Sequence, residues 1–206
     1  MKKIVSLSLF AIIIFPMFIC AQAHGDQMGW LNQPKKWLND NGKITIAVES
    51  KTDFWRITHY GYITDNGHFY FREQEGDFIA QVKVQGNYKS LYDQAGLMIR
   101  INEKNWIKTG IEFVNNTENI STVMTRDYSD WSVVALRARP SYVWLKLIRK
   151  NDYVEISYSL DNKSYQVVRE GYFPPKVKCK VGIMAAAPEG QGFQAVFEEF
   201  KITPGE

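Results

Sequence analysis

The feature that most constrains this chain is the period of its apolar residues. Leu97, Ile99 and Ile101 alternate with Gly96, Met98 and Arg100. Ile107, Thr109, Ile111 and Phe113 alternate with Trp106, Lys108, Gly110 and Glu112, and Val143, Leu145 and Leu147 with Trp144 and Lys146. Period two belongs to extended backbone, whose side chains point to opposite faces in turn. The helical period is scarce. The pattern predicts strands over residues 44–49, 68–72, 77–84, 95–102, 106–114, 121–125, 132–138, 142–150, 153–159, 165–170, 178–186 and 194–203. Turn residues punctuate them, among them Asn41-Gly42, Asn66-Gly67 and Asp161-Asn162-Lys163. About a dozen short strands with tight turns fit one antiparallel sandwich. A short helical turn is expected near residues 33–38 or 91–94.

Residues 1–23 read as a secretory signal peptide. Lys2 and Lys3 form a basic start, an apolar stretch interrupted by Pro16 follows, and Ala21-Gln22-Ala23 has the small-x-small cleavage pattern. A membrane anchor fits less well, because the run is short and broken. A lipoprotein reading of Cys20 lacks the small residue such signals place just before the cysteine, since Ile19 stands there. The expectation is an exported protein, periplasmic or extracellular, with residues 24–206 as a single domain and no stable membrane insertion. Cleavage leaves 183 of the 206 residues and takes two lysines, so the formal charge falls from +3 to +1. That balance offers no electrostatic basis for nucleic-acid binding. A hydrophobic content of 45% excludes a disordered chain. Cys20 leaves with the leader, so the domain has no internal disulfide and depends on its core. Cys179, between Lys178 and Lys180, reads as a strand residue with no base beside it in sequence.

The chain carries 6 Trp, 11 Tyr and 12 Phe. Rings that alternate with aliphatics belong to strands. Others lie next to charged residues on the outer parity of a strand. The turn over residues 102–105 brings two strands together, so Arg100, Trp106, Lys108 and Glu112 share one surface. An antiparallel sheet often exposes such a polar face for no purpose but solubility. Planar rings with charged neighbours also suit sugar recognition, the ring stacking on the pyranose C–H face while polar groups bind hydroxyls. Two further aromatic clusters stand out. Residues 54–62 include Trp55, His59 and Tyr60, with Trp55 as readily core as site. Residues 128–131 include Asp130 and Trp131, read as a loop at the rim of a site.

Several strings together resemble one family: Thr52-Asp53-Phe54-Trp55-Arg56, Gly76-Asp77-Phe78, Tyr92-Asp93-Gln94-Ala95-Gly96-Leu97-Met98-Ile99-Arg100, Trp106-Ile107-Lys108-Thr109-Gly110-Ile111-Glu112, Ser129-Asp130-Trp131-Ser132 and Pro188-Glu189-Gly190-Gln191-Gly192-Phe193. In this order they resemble the domain-of-unknown-function family 1349, some of whose members are named as enolase regulators. The likeness runs from about Trp30 to Ile202. It implies an all-β, concanavalin A-like jelly-roll sandwich of two antiparallel sheets, with a candidate concave face. The Asp-Gln-Ala-Gly-Leu segment also resembles the accessory sandwich domain of bacterial β-xylosidases. A fold of this kind hosts lectins, hydrolases and inert scaffolds, so function rests on the site.

The residues favour a carbohydrate-binding protein. Trp55, Trp106 and Trp131 would stack; Arg100, Lys108, Glu112 and Asp130 would hydrogen-bond; His59 and Tyr60 would line a rim. A glycoside hydrolase or lyase is the first alternative, with Glu112 as its catalytic carboxylate. Retaining hydrolysis needs a second carboxylate about 5–5.5 Å away. Along its own strand face Glu112 is followed by Val114 and Asn116, neither of them acidic. A protein-interaction domain is the second alternative, and it predicts an exposed apolar patch. No zinc motif, phosphate loop or nucleophile elbow is present in the sequence. Asp127, Asp130 and residues 115–118 offer oxygen ligands for a loop calcium, at no diagnostic spacing. No cofactor is expected.

Overall fold

Alternation carries through to the architecture. The computed structural model describes residues 27–205, so the leader expected over residues 1–23 lies outside the described residues. In chain order the strands are β1 (Gly29–Leu31), β2 (Trp37–Asp40), β3 (Lys43–Val48), β4 (Phe54–Arg56), β5 (Ile63–Asp65), β6 (His68–Gln74), β7 (Phe78–Gly86) and β8 (Gln94–Asn102). They continue as β9 (Asn105–Val114), β10 (Thr117–Arg126), β11 (Tyr128–Ala135), β12 (Val143–Lys150), β13 (Tyr153–Ser159), β14 (Gln166–Tyr172), β15 (Cys179–Ala186) and β16 (Phe193–Pro204). One seven-stranded sheet runs β1-β6-β15-β8-β9-β10-β11 and the other β14-β13-β12-β7-β16-β3-β2. Neighbours within each sheet pair antiparallel. The protein is an all-β sandwich.

The inner faces hold the main core. Leu97 and Ile99 of β8, Ile107, Ile111 and Phe113 of β9, and Val181 and Ile183 of β15 meet Val82 and Val84 of β7, Leu145 and Leu147 of β12, and Phe197 of β16. These are the apolar parities read from the sequence. Each buried aliphatic or aromatic side chain contributes about 1.5–3 kcal/mol, enough in number to dispense with a disulfide. Cys179 is buried at the start of β15. Burial pushes its thiol up to about 11, against the pull of the nearby Arg149 guanidinium, so it is a poor nucleophile at neutral pH.

Three local expectations are corrected. Residues 33–38 contain no helical turn: Trp37–Asp40 is strand β2, paired on β3. As the edge strand of that sheet, β2 pairs one side of its backbone with β3, from Trp37↔Ile46 to Asp40↔Lys43, which an isolated turn after Pro34 would not. Residues 91–94 hold no helical turn either: 91 and 92 form a turn, with Tyr92 at a φ of 66°, and Gln94 already opens β8. Tyr128–Ala135 is strand β11 along its whole length, not a loop followed by a strand, because it pairs with β10 from Arg126↔Tyr128 to Asn119↔Ala135. Trp144 lies in the second sheet, opposite Lys83 and Ser159, and is buried.

Strands β4 and β5 form a separate hairpin laid over the outer face of the first sheet. Beneath it a second core gathers Phe54 and Trp55 of β4, Phe69 of β6, Met98 of β8, Trp106 of β9, Val123 of β10 and Met184 of β15. One sheet of this sandwich therefore buries apolar side chains on both faces.

Candidate functional site

The register sets the outer face of the first sheet. Gln94↔Glu112, Met98↔Lys108 and Arg100↔Trp106 are direct cross-strand partners between β8 and β9. Lys108↔Val123 and then Val123↔Trp131 carry the row to the edge strand β11. Arg100, Trp106, Lys108 and Glu112 do share one surface, as the period-two reading requires. Gly96 and Gly110 face each other across this pair. A Cβ on Gly110 would collide with the Ala95 carbonyl, so glycine is what lets these strands approach.

A solvent-open cleft of about 340 Å³ lies where the hairpin meets this face. Its lining is Asp53, Trp55, Tyr60, Tyr62, Tyr92, Gln94, Lys108, Glu112 and Trp131. The rim is aromatic and half open: Tyr60 and Tyr62 are each 44% exposed and Trp131 is 38% exposed. The floor is polar and buried. Lys108 Nζ donates to Asp53 Oδ1 at 3.2 Å and to the Phe54 carbonyl at 2.8 Å. Gln94 Nε2 donates to the same Asp53 oxygen at 3.3 Å, and Phe54 N–H does so at 2.7 Å. The Trp131 indole N–H donates to Glu112 Oε2 at 2.7 Å and reaches Ser121 Oγ at 3.1 Å.

Three groups lining the cleft have shifted acidity, among them the Tyr62 phenol, raised by burial. Burial holds the Glu112 carboxyl above the ordinary range, although Lys108 and the Ser121 and Trp131 hydrogen bonds pull it back. Tyr60 and Tyr92 join hydroxyls across the cleft at 2.9 Å. That bond, aided by burial, pushes the Tyr92 phenol up to about 12.

The hairpin loop is held in a costly shape. Thr58 N–H donates to Arg56 O and Tyr60 N–H to Thr58 O, each at 2.7 Å. Two γ-turns thus follow one another, centred on Ile57 and His59 at φ of 63° and 67°. Positive φ at the centre is the rare form of this turn, and a β-branched residue there is strained. Gly61, at φ 75°, and the Trp55 indole bond to Thr58 O at 2.9 Å close the loop. The result aims Tyr60 and Tyr62 at the cleft, their rings stacked 5.6 Å apart.

The expected site residues separate into groups. Trp55, Tyr60, Lys108, Glu112 and Trp131 line the cleft. His59 is exposed beside it, its ring 4.6 Å from that of Tyr60. Trp106 is 2% exposed within the second core, so its ring faces are not available for stacking. Arg100 is spent on a bidentate pair with Asp65 of β5, at 2.6 and 2.7 Å. Asp130 pairs across strands with Met124, on the opposite parity from Trp131, and binds Arg169 of the other sheet at 3.1 Å. Neither Arg100 nor Asp130 lines the cleft. Asp53, Tyr62, Tyr92 and Gln94 were not expected as site residues. Asp53, Tyr92 and Gln94 lie inside the family-like strings, which were the available signal. Among the described residues, no group of three or more His, Cys, Asp or Glu is placed to hold a metal ion. Asp127 instead faces Arg56 at 3.8 Å and Lys104 at 3.6 Å.

Known proteins share this architecture. Regulation of enolase protein 1 of Saccharomyces cerevisiae is 41% identical over 174 residues, covering 84% of this chain and 88% of the relative. The crystal structure of a functionally unknown protein from Saccharomyces cerevisiae superposes with a TM-score of 0.84 at 40% identity, covering 87% of this chain and 97% of that one. The GH43 protein BlXynB from Bacillus licheniformis, a K247S mutant, matches with a TM-score of 0.68 at 17% identity, over 86% of this chain and 37% of that one. The carbohydrate binding module CBM66 from Bacillus subtilis matches at 0.53 and 13% identity, over 84% of this chain and 94% of the module. The two bacterial likenesses are likenesses of fold. Residues 30–205 match the family described as Protein of unknown function (DUF1349), and the chain belongs to that family.

Proposed function

We propose that this is an exported glycan-binding protein whose ligand seats in the cleft between the β4–β5 hairpin and the outer face of the first sheet. The observation that carries the reading is one cleft with half-open Tyr60, Tyr62 and Trp131 at its rim and buried Gln94, Lys108 and Glu112 in its floor. Rings at the rim cover the C–H face of a sugar, and the polar floor receives its hydroxyls. The carbohydrate-binding module of the same fold supports the class of ligand. Export rests on residues 1–23 alone. A glycan-array screen with the full chain and with Trp131→Ala tests the reading. Binding that falls at least tenfold in the variant supports it; binding that is indifferent to Trp131 sinks it.

Asp53 favours a second reading. It brings a second carboxylate to the cleft that holds Glu112, from the hairpin and not from the sheet. Asp53 Oδ1 already accepts three donors, which makes it a fixed acceptor more than a free base. Release of reducing sugar from an array hit, lost in Glu112→Gln, would select hydrolysis over binding. The name of the yeast relative supplies a protein ligand as a further reading. Capture of purified enolase that survives Trp131→Ala would move the function off the cleft.

A further inference from the structure

We infer that the cleft selects a sugar carrying a protonated amine, an amino sugar with a free ammonium group, over neutral sugars of the same shape. The inference rests on the glycan reading of the same cleft and concerns the chemistry of what enters it. Five aromatic side chains line the cleft: Tyr60, Tyr62 and Trp131 at its half-open rim, Tyr92 half-buried, and Trp55 deeper still. Aromatic faces carry negative potential and attract a cation, whereas a neutral hydroxyl gains little from them. Stacking on one sugar face needs one or two rings, and this cleft is lined by more than that.

The floor has the matching charge. It holds two acids, Asp53 and Glu112, and one base, Lys108. Lys108 is committed to Asp53 and to the Phe54 carbonyl. Glu112 is 5% exposed and is met by neutral donors, the Trp131 indole and the Ser121 hydroxyl. Among the described residues, no Lys, Arg or His nitrogen forms an ion pair with it. A buried carboxylate without a cationic partner is costly, and it becomes less so when a ligand supplies the cation. Burial holds this carboxyl above the ordinary range, although the Lys108 charge, itself committed to Asp53, draws it part of the way back. An ammonium at the Glu112 end, ringed by the rim aromatics, completes the pair. The rest of the sugar would lie against Trp131 and Tyr62.

Three oligomers with one backbone and linkage, differing only at carbon 2, test this: β-1,4-linked glucosamine, N-acetylglucosamine and glucose trimers. Calorimetric titration of the full chain near pH 6 is expected to show the glucosamine trimer binding at least tenfold tighter than the other two. That ratio should fall as salt is raised, and to about one in Glu112→Gln. Should that variant fail to fold, Tyr62→Leu, at an exposed ring, is expected to cut the amine preference several-fold. A neutral trimer bound as tightly as the amine, or a preference that survives Glu112→Gln, overturns the inference and leaves the glycan reading standing. Choline serves as a sugar-free cation. If choline binds as well as the glucosamine trimer, the cleft reads charge alone, and the glycan reading fails. No binding by any of the four overturns the inference; a neutral hit on the array that depends on Trp131 would then keep the glycan reading.

Discussion

Trp106 and Trp131 occupy the same outer parity of the same sheet, yet only Trp131 meets solvent. Trp106 lies under the β4–β5 hairpin beside Met98 and Phe54, at 2% exposure. Trp106→Ala is therefore expected to destabilise the fold by about 3–5 kcal/mol, the usual cost of emptying a large aromatic site. Trp131→Ala should cost less than half of that in the same urea titration; equal losses would contradict the two placements. Glu112 allows a test of sign. Its carboxyl titrates above the ordinary value near 4.5, so the folded state favours the neutral form. The associated stability is complete below the unfolded value and is lost as pH rises through the raised folded value. Glu112→Gln should remove that loss, so the variant gains on the parent as the titration moves from about pH 4 to pH 8. Parallel stability curves would show that Lys108 and the two neutral donors fully offset burial. The sequence placed Lys108 and Glu112 on one face because parity is local. It could not show that Arg100 would be consumed by Asp65, because that partner arrives from an element with no periodicity.

The β4–β5 hairpin is the element that turns a sheet face into a cleft. It has three-residue strands, and its loop depends on positive φ at Ile57 and His59. Little of its stability is intrinsic; it is fastened at identifiable points. Arg100, with a side chain 7% exposed, grips Asp65 through both carboxylate oxygens. Arg56 N–H donates to Ser129 Oγ at 3.0 Å, tying the other strand to β11. Asp65→Asn is expected to cost about 2–4 kcal/mol, since it leaves a buried guanidinium without its counter-charge. It should also speed amide exchange over residues 54–65 more than in β8 or β9, because a hairpin losing its fastening opens before the sandwich does. Uniform acceleration across the sheet would mean that hairpin and sandwich unfold as one unit. The sequence signalled this region by composition alone. A run such as Phe54-Trp55-Arg56-Ile57-Thr58-His59-Tyr60-Gly61-Tyr62 has neither strand nor helix period, so its aromatics were visible and their orientation was not. The long strands β7, β8, β9, β12, β13 and β15, by contrast, fall within two residues of the positions that alternation predicts.

At the scale of the molecule, the order of strands governs how the fold can be reached. The last two strands take central places. β15 lies between β6 and β8, and β16 lies between β7 and β3. Each sheet is therefore split until the C-terminal part of the chain arrives. β16 brings Ala195 and Phe197 into the main core and pairs Phe193–Phe197 with β3 while continuing along β7. Alternation predicted these strands but said nothing of their neighbours, because pairing across a hundred residues leaves no local trace. Removing residues 193–205 should abolish cooperative unfolding, since it exposes the facing edges of β3 and β7 and opens the core. Removing residues 27–31 deletes only the edge strand β1, so folding should survive with reduced stability. Chemical denaturation followed by tryptophan fluorescence distinguishes the two truncations. A cooperative transition in the C-terminal truncation would show that β3 and β7 can close on each other without β16. The same long-range pairing predicts refolding of the full chain in the slow, millisecond-to-second range typical of sandwiches dominated by non-local contacts. Stopped-flow refolding completed within about 100 μs, the pace of helical bundles, would show that central placement of β15 and β16 does not limit the rate.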